Sequence, residues 1–221
     1  MAPQQTIESG PTKTQSFTEW LQANSRVVGI GAVIVVVAGA GYWFYLRSAE
    51  IRRMNAERGL IQAKQSLSAG NPSLAQNDLQ RIATRYTGTP SGSQAAMLLA
   101  QMYYDEGKYA DGIKALHPYE TGAAAGPNLA AVWSLRGDGE LAGGKPGDAA
   151  SSFKKAADAT TLPGERAIYQ AKAARALMNA GNDADARAIW AKLASDPDAV
   201  AVRNEAEIRL GELAARPAGK S

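Results

Sequence analysis

The sequence contains no cysteine and a single histidine, His117. The first absence excludes disulfides, thiolate zinc sites, iron–sulfur ligation and cysteine nucleophiles. The second excludes an all-histidine metal site and leaves acid–base schemes with one histidine. Aromatic residues are only 7% of the chain, and neither charge sign dominates, since Lys+Arg 24 against Asp+Glu 21 leaves a net charge of +3. That excess is too small to be the electrostatic footprint of a nucleic-acid binder. The 22 glycines and 10 prolines among 221 residues are too few for a low-complexity chain. The expectation is a protein with no cofactor, no metal, no catalytic residue and no small-molecule substrate.

One long uncharged run stands out. Val27 to Leu46 spans 20 residues without a charge, between Arg26 and Arg47. As a helix it rises about 30 Å, the thickness of a bilayer's hydrocarbon core. Tyr42, Trp43, Phe44 and Tyr45 close it, and such aromatics suit a membrane–water interface. A transmembrane helix over 27–46 is therefore predicted, with Tyr42, Trp43 and Tyr45 as interface anchors. Ala38-Gly39-Ala40 has the small-x-small pattern of a signal-peptide cleavage site. The hydrophilic lead of 26 residues and the aromatics beyond the supposed cut fit an uncleaved anchor better. Residues 1–26 read as a polar tail carrying a short amphipathic helix. Ser16 and Glu19 form a capping box there, and Phe17, Trp20 and Leu21 share one face. Phe17 and Trp20 are the expected anchors of that helix at the interface.

From residue 47 to 215 the chain repeats itself. Glycines stand at 70, 107, 144 and 181, each 37 residues from the last. Five residues after each comes a small residue: Ala75, Gly112, Ala149, Ala186. Nine after comes a large apolar one, Leu79, Leu116, Phe153 or Trp190, and twelve after stand Ile82, Tyr119, Ala156 and Leu193. A glycine can adopt the left-handed conformation that ends a helix. The small residue lets a second helix approach, and the large one four positions on fills the space between. Four helix–turn–helix units follow, each with a helix A before its glycine and a helix B after it. The expected pairs are 48–68 with 72–86, 91–106 with 109–117, 129–142 with 147–159, and 164–180 with 184–194. A solitary helix over 199–215 caps the array, and 216–221 is a frayed tail. Pro118 is expected to stop the second helix B early, with Tyr119 just outside it.

These residues resemble the tetratricopeptide repeat, best in the third unit with Trp133, Gly137, Gly144, Ala149, Phe153 and Ala156. The period of 37 exceeds the usual 34, and Gly112 and Pro146 replace the expected alanine and aromatic. The fold class expected is all-α: a transmembrane helix, then a right-handed solenoid of about four tetratricopeptide-like helix pairs and a C-terminal capping helix.

Other motifs fail on inspection. Gly139 to Lys145 fits the start of a phosphate-binding loop, but Pro146 stands where Ser or Thr must follow, and no strand precedes it. Gly137-Asp138-Gly139 is a still weaker dinucleotide fingerprint. His117 sits at a helix C-terminus, where a cation is favourable. Asp105-Glu106 and Asp183/Asp185 read as solvated turns.

Arrays of this kind bind partners on the concave face lined by helix A. Three residues before the repeat glycines stand Leu67, Tyr104, Leu141 and Met178; six before, Lys64, Gln101, Asp138 and Arg175; ten before, Leu60, Met97, Ser134 and Ala171. The candidate protein-binding groove is Leu60, Lys64, Leu67, Met97, Gln101, Tyr104, Asp138, Leu141, Arg175 and Met178. The competing reading is that the column of Leu67, Tyr104, Leu141 and Met178 packs neighbouring A helices together.

The order of amphipathic helix, aromatic-ended span and repeat domain resembles the bacterial YfgM-type family, the ancillary subunit of the SecYEG translocon. Phe17, Trp20, Leu21, the glycine-rich span, Tyr42-Trp43-Phe44-Tyr45-Leu46-Arg47 and the repeat glycines carry the resemblance. It implies a single-pass protein of the bacterial inner membrane with a periplasmic repeat domain. It also implies a non-enzymatic adaptor, with the translocon and a periplasmic chaperone as partners in protein secretion. The charge pattern points the other way. Lys13 and Arg26 precede the span, whereas Arg47, Arg52, Arg53, Arg58 and Lys64 follow it. The positive-inside rule alone puts the repeats in the cytoplasm, as in a scaffold subunit of some other membrane complex.

Overall fold

The computed structural model describes Trp20 and residues 25–215. The chain divides into two compact units between Ile51 and Arg52. The expected helix at Phe17 and the tail at 216–221 lie outside the described residues. So does the polar lead, apart from Ser25, Arg26 and Trp20, the last of which is helical and exposed. Among the described residues every regular element is a helix.

Helix α1 is Ser25–Ser68. Its first part contains the one stretch in the described residues long and apolar enough to cross a membrane, judged by length and composition. Large apolar side chains there are exposed, Val35 at 71% and Leu46 at 49%.

In the second unit, the last part of α1 is followed by α2 (Pro72–Arg85), α3 (Pro90–Asp105) and α4 (Tyr109–Leu116). A 3₁₀ turn (His117–Tyr119), the short α5 (Gly122–Ala125) and a second 3₁₀ turn (Gly126–Asn128) come next. Then follow α6 (Leu129–Ala142), α7 (Pro146–Ala159), α8 (Pro163–Asn179), α9 (Asp183–Ser195) and α10 (Arg203–Ala215). From α6 onward each helix packs on the next, and α4 packs on α6 across the irregular segment.

The four repeat turns share one geometry. Gly70, Gly107, Gly144 and Gly181 have φ of 76°, 74°, 77° and 76°. The residue after each glycine donates its N–H to the carbonyl five positions back: Asn71 to Ser66 at 2.9 Å, Lys108 to Tyr103 at 2.8 Å, Lys145 to Glu140 at 2.8 Å and Asn182 to Leu177 at 2.9 Å. This Schellman pattern satisfies carbonyls that a helix end would orphan. Proline at the first turn starts α2, α3, α7 and α8, where its missing N–H costs nothing. Thr89 caps α3 by accepting from the Gly92 N–H at 3.0 Å, and Asn182 caps α9 by accepting from Asp185.

The three B-helix columns form the core. Ala75, Ala149 and Ala186 are fully buried, as are Leu79, Leu116, Trp190, Tyr119, Ala156 and Leu193. Gly112 is buried as well. It is glycine, not alanine, because a Cβ there would overlap the Tyr104 ring and crowd the Ala100 carbonyl at 2.9 Å. Gly137 similarly makes room for Phe153, whose Cε1 lies 2.7 Å from where a Cβ would stand.

One expectation holds with an added detail, and another needs correction. Tyr119 does lie beyond α4, but the 3₁₀ turn keeps it in its column, and its hydroxyl donates to the Ala83 carbonyl at 2.5 Å. The final helix begins at Arg203, not 199. Asp196 captures the N–H of Asp198 at 2.9 Å, and the Asp196 carbonyl accepts from Ala199 and from Arg203. Such local bonds compete with helix, so buried Ala199 and Val202 pack from turns instead.

Candidate protein-binding surfaces

The helix-A columns proposed from sequence separate into packed and accessible residues. Leu60 is only 4% exposed and belongs to the N-terminal core, so it is not groove lining. The residue sits on the same helix face as Ala56 and Ala63, both fully buried. Lys64 and Gln101 are exposed, while Leu67 and Met97 are partly buried. Gln101 donates to Asp105 along its own helix at 2.9 Å.

Tyr104, Leu141 and Met178 are partly buried against the two hydrophobic cores. Met178 sulfur accepts the Trp190 indole N–H at 3.3 Å. Tyr104 spans two repeats, because a Cβ on Gly139 of the next unit would also overlap its ring. Its hydroxyl is buried without a hydrogen-bond partner. Burial pushes the phenol well above its ordinary 10.0, aided by the Asp138 and Glu140 carboxylates. These contacts are inter-helix packing.

The charged members of the columns hold one another. Lys172 donates to both Asp138 oxygens at 2.9 and 2.8 Å, and to Ser134 at 3.0 Å, tying α8 to α6. Arg175 bonds Glu205 in bidentate fashion, with Nε to Oε1 at 2.6 Å, tying α8 to α10. The Arg175 bond holds the Glu205 carboxyl below its ordinary 4.5.

Accessible concavity lies on the other side, between successive B helices. A groove of about 420 Å³ is floored by Ala83, Leu99, Tyr103, Ala115 and Tyr119, with Thr84, Asp111 and Lys114 on its rim. A second, of about 270 Å³, is lined by Ala157, Ala173 and Ile189, with Lys154, Asp158 and Lys192 around them. The two are built from the same repeat columns: Ala83 and Ala157, Leu99 and Ala173, Ala115 and Ile189 are each 74 residues apart. At the junction between them the same columns carry Glu120, Arg136 and Ser152. There Arg136 pairs with Glu120 and, at 2.8 Å, with Glu140. Glu140, 4% exposed, accepts from Ser152 at 2.6 Å. Arg136 and Lys155 lie over the Trp133 ring, at 5.4 and 4.1 Å from its centroid. Polar pairing thus fills the middle position and leaves a groove on either side. The sequence carries a faint sign of this, alanine against glutamate thirteen residues after the glycine, but its meaning depends on which helix covers it.

The segment from Gly139 to Lys145 forms the last turns of α6 and the repeat turn, so its backbone N–H groups are spent on helix closure. His117 is exposed and its Nδ1 lies 3.2 Å from Glu120. Among the described residues no group of three or more acidic or histidine side chains is placed to hold a metal.

A model of the tetratricopeptide repeat-like domain matches residues 18–136 and 58–175. No functionally curated protein matches the sequence. Two crystal structures of a kinesin light chain with nearly identical TPR-like repeats from Podosopora anserina are similar in fold. One, a single-substitution variant, has 18% identity and a TM-score of 0.52, covering 73% of this chain and 93% of that one. The other has 17% identity and a TM-score of 0.53, covering 73% and 94%. Shared repeat geometry at such low identity reflects the fold alone. With its left-handed glycine turns, paired helices and matched columns, the chain belongs to the tetratricopeptide repeat-like domain family.

Proposed function

We propose that this protein is a membrane-anchored, protein-binding adaptor of a bacterial inner membrane. Helix residues 27–46 cross the bilayer once, with Tyr42, Trp43 and Tyr45 at the interface and Phe17 and Trp20 anchoring the lead. The repeat domain lies in the periplasm and meets the Sec translocon and a periplasmic chaperone as secreted proteins emerge. The observation that carries the anchor is an uncharged run whose large side chains, Ile30 to Tyr45, are exposed around the helix. A helix apolar on every side is matched to lipid and mismatched to water.

Support for binding comes from the repeat family and from the first two units. Lys64, Leu67, Met97 and Gln101 stay accessible there, and the larger B-side groove lies in the same units. Apolar floor with charged rim is the composition from which affinity and orientation arise. The choice of translocon and chaperone rests on the resemblance to the YfgM-type family.

The arginines after the span favour a second reading, a scaffold facing the cytoplasm. Long domains translocate largely regardless of local charge, so the periplasmic reading is preferred. Fusions of alkaline phosphatase and of green fluorescent protein after Ser221 decide between them. An active phosphatase with a dark fluorescent fusion supports the periplasm; the reverse pattern refutes it.

A further inference from the structure

Residues 47–64, directly after the uncharged run, hold five of the 24 basic residues and two of the 21 acidic ones, a net charge of +3. That equals the net charge of the whole chain, so the remaining residues balance at 19 of each sign. Arginine carries the excess: Arg47, Arg52, Arg53 and Arg58 are all exposed. Glu50 and Glu57 stand three or four residues from Arg47 and Arg53, a spacing at which charges on a helix can pair. Among the described residues, none of these four arginines has a carboxylate within 4.0 Å. Their one side-chain bond runs from Arg52 to the Thr87 carbonyl at 3.4 Å. The repeats use arginine differently. Each of the eight arginines between residues 81 and 209 has a partner within the chain. Four pair with carboxylates, three bond backbone carbonyls, and Arg85 lies over the Tyr86 ring.

We propose that Arg47, Arg52 and Arg53, with Arg58 behind them, bind the phosphates of anionic phospholipids in the membrane that holds the chain. This rests on residues 27–46 spanning that membrane, and it applies to either orientation of the repeats. Chain connectivity keeps the arginines at the bilayer, because the six residues from Leu46 to Arg52 reach about 20 Å even when fully extended. Long basic side chains near the end of a span also turn their charge back toward the headgroups. A guanidinium presents a planar fork that matches phosphate oxygens two at a time. Basic clusters beside a span are drawn to anionic lipid within a Debye length of the surface. An acidic protein segment offers similar oxygens but has to arrive from solution, whereas lipid phosphates are held alongside.

The full-length protein, reconstituted in phosphatidylcholine bilayers with a trace of spin-labelled lipid, tests this by electron paramagnetic resonance. The signal is the fraction of label whose motion the protein restricts. Spin-labelled phosphatidylglycerol is expected to be restricted several-fold more than spin-labelled phosphatidylcholine. Molar salt, with a Debye length of about 3 Å, should remove the difference. Arg47→Gln/Arg52→Gln/Arg53→Gln, at exposed positions, should remove it as well, with helix content by circular dichroism unchanged. Protein that alkaline carbonate strips from these bilayers refutes the span, and the site with it. Protein that stays but restricts the two lipids equally refutes the arginine site alone. So does a phosphatidylglycerol preference that survives in the triple variant.

Discussion

The Tyr104 ring occupies space that a Cβ on Gly112 or on Gly139 would need, so three positions in two units are sterically coupled. Gly112→Ala overpacks this contact and is expected to cost about 1–3 kcal/mol. Shortening the opposing side chain in Tyr104→Leu/Gly112→Ala returns part of that loss, a non-additivity that urea unfolding of both variants measures. Tyr104→Phe removes a buried hydroxyl with no partner, and its unfolding midpoint should equal or exceed the parent's. Phe153 is the third unit's column residue and packs over Gly137. Phe153→Ala should cost about 3–5 kcal/mol by opening a cavity. Burial in the B-helix columns was legible because the spacing itself imposes it. The role of Tyr104 was not, because its partners come from a helix eight residues on and another thirty-five on, and spacing does not say how those helices cross.

Turns and helix pairs carry the next level of stability. Gly181 has φ of 76°, a conformation that costs a side-chain-bearing residue about 1–2 kcal/mol. Gly181→Ala is expected to lose that amount. Gly147 lies in α7 with open space around its would-be Cβ, so Gly147→Ala should gain about 0.5–1 kcal/mol. Thermal unfolding of the two variants should shift in opposite directions. Between α8 and α10, the Glu205 carboxyl is held below 4.5 by Arg175. A carboxyl depressed on folding contributes its stabilisation above the unfolded value and loses it as pH falls through the folded one. Glu205→Gln should therefore destabilise near neutral pH, with the gap to the parent closing as pH drops below 4.5. Helix pairs and their turns were readable from glycine and proline placement. The start of α10 was not, because the Asp196 side chain diverts backbone that an alanine-rich pattern suggests is helical.

For the whole molecule, the sequence pattern identified a repeat array, which the paired helices and the family match bear out. The binding surface was less legible. Charges expected to face a partner, Asp138 and Arg175, instead bond Lys172 and Glu205, because residues on successive A helices come within reach only once the helices stack. The grooves lie between B helices. A photo-crosslinking residue at Thr84, on the rim of the larger groove, should capture a partner protein in intact cells.

The claim on which the functional account depends is that residues 27–46 anchor the chain in a bilayer. Extraction of cell membranes with alkaline sodium carbonate tests it most directly, since this strips peripheral proteins and leaves spanning ones. The account predicts that the full-length chain stays with the membrane pellet, and that Val35→Asp/Val36→Asp, which places two charges mid-span, moves it into the supernatant. Release of the unaltered chain by carbonate would contradict the account.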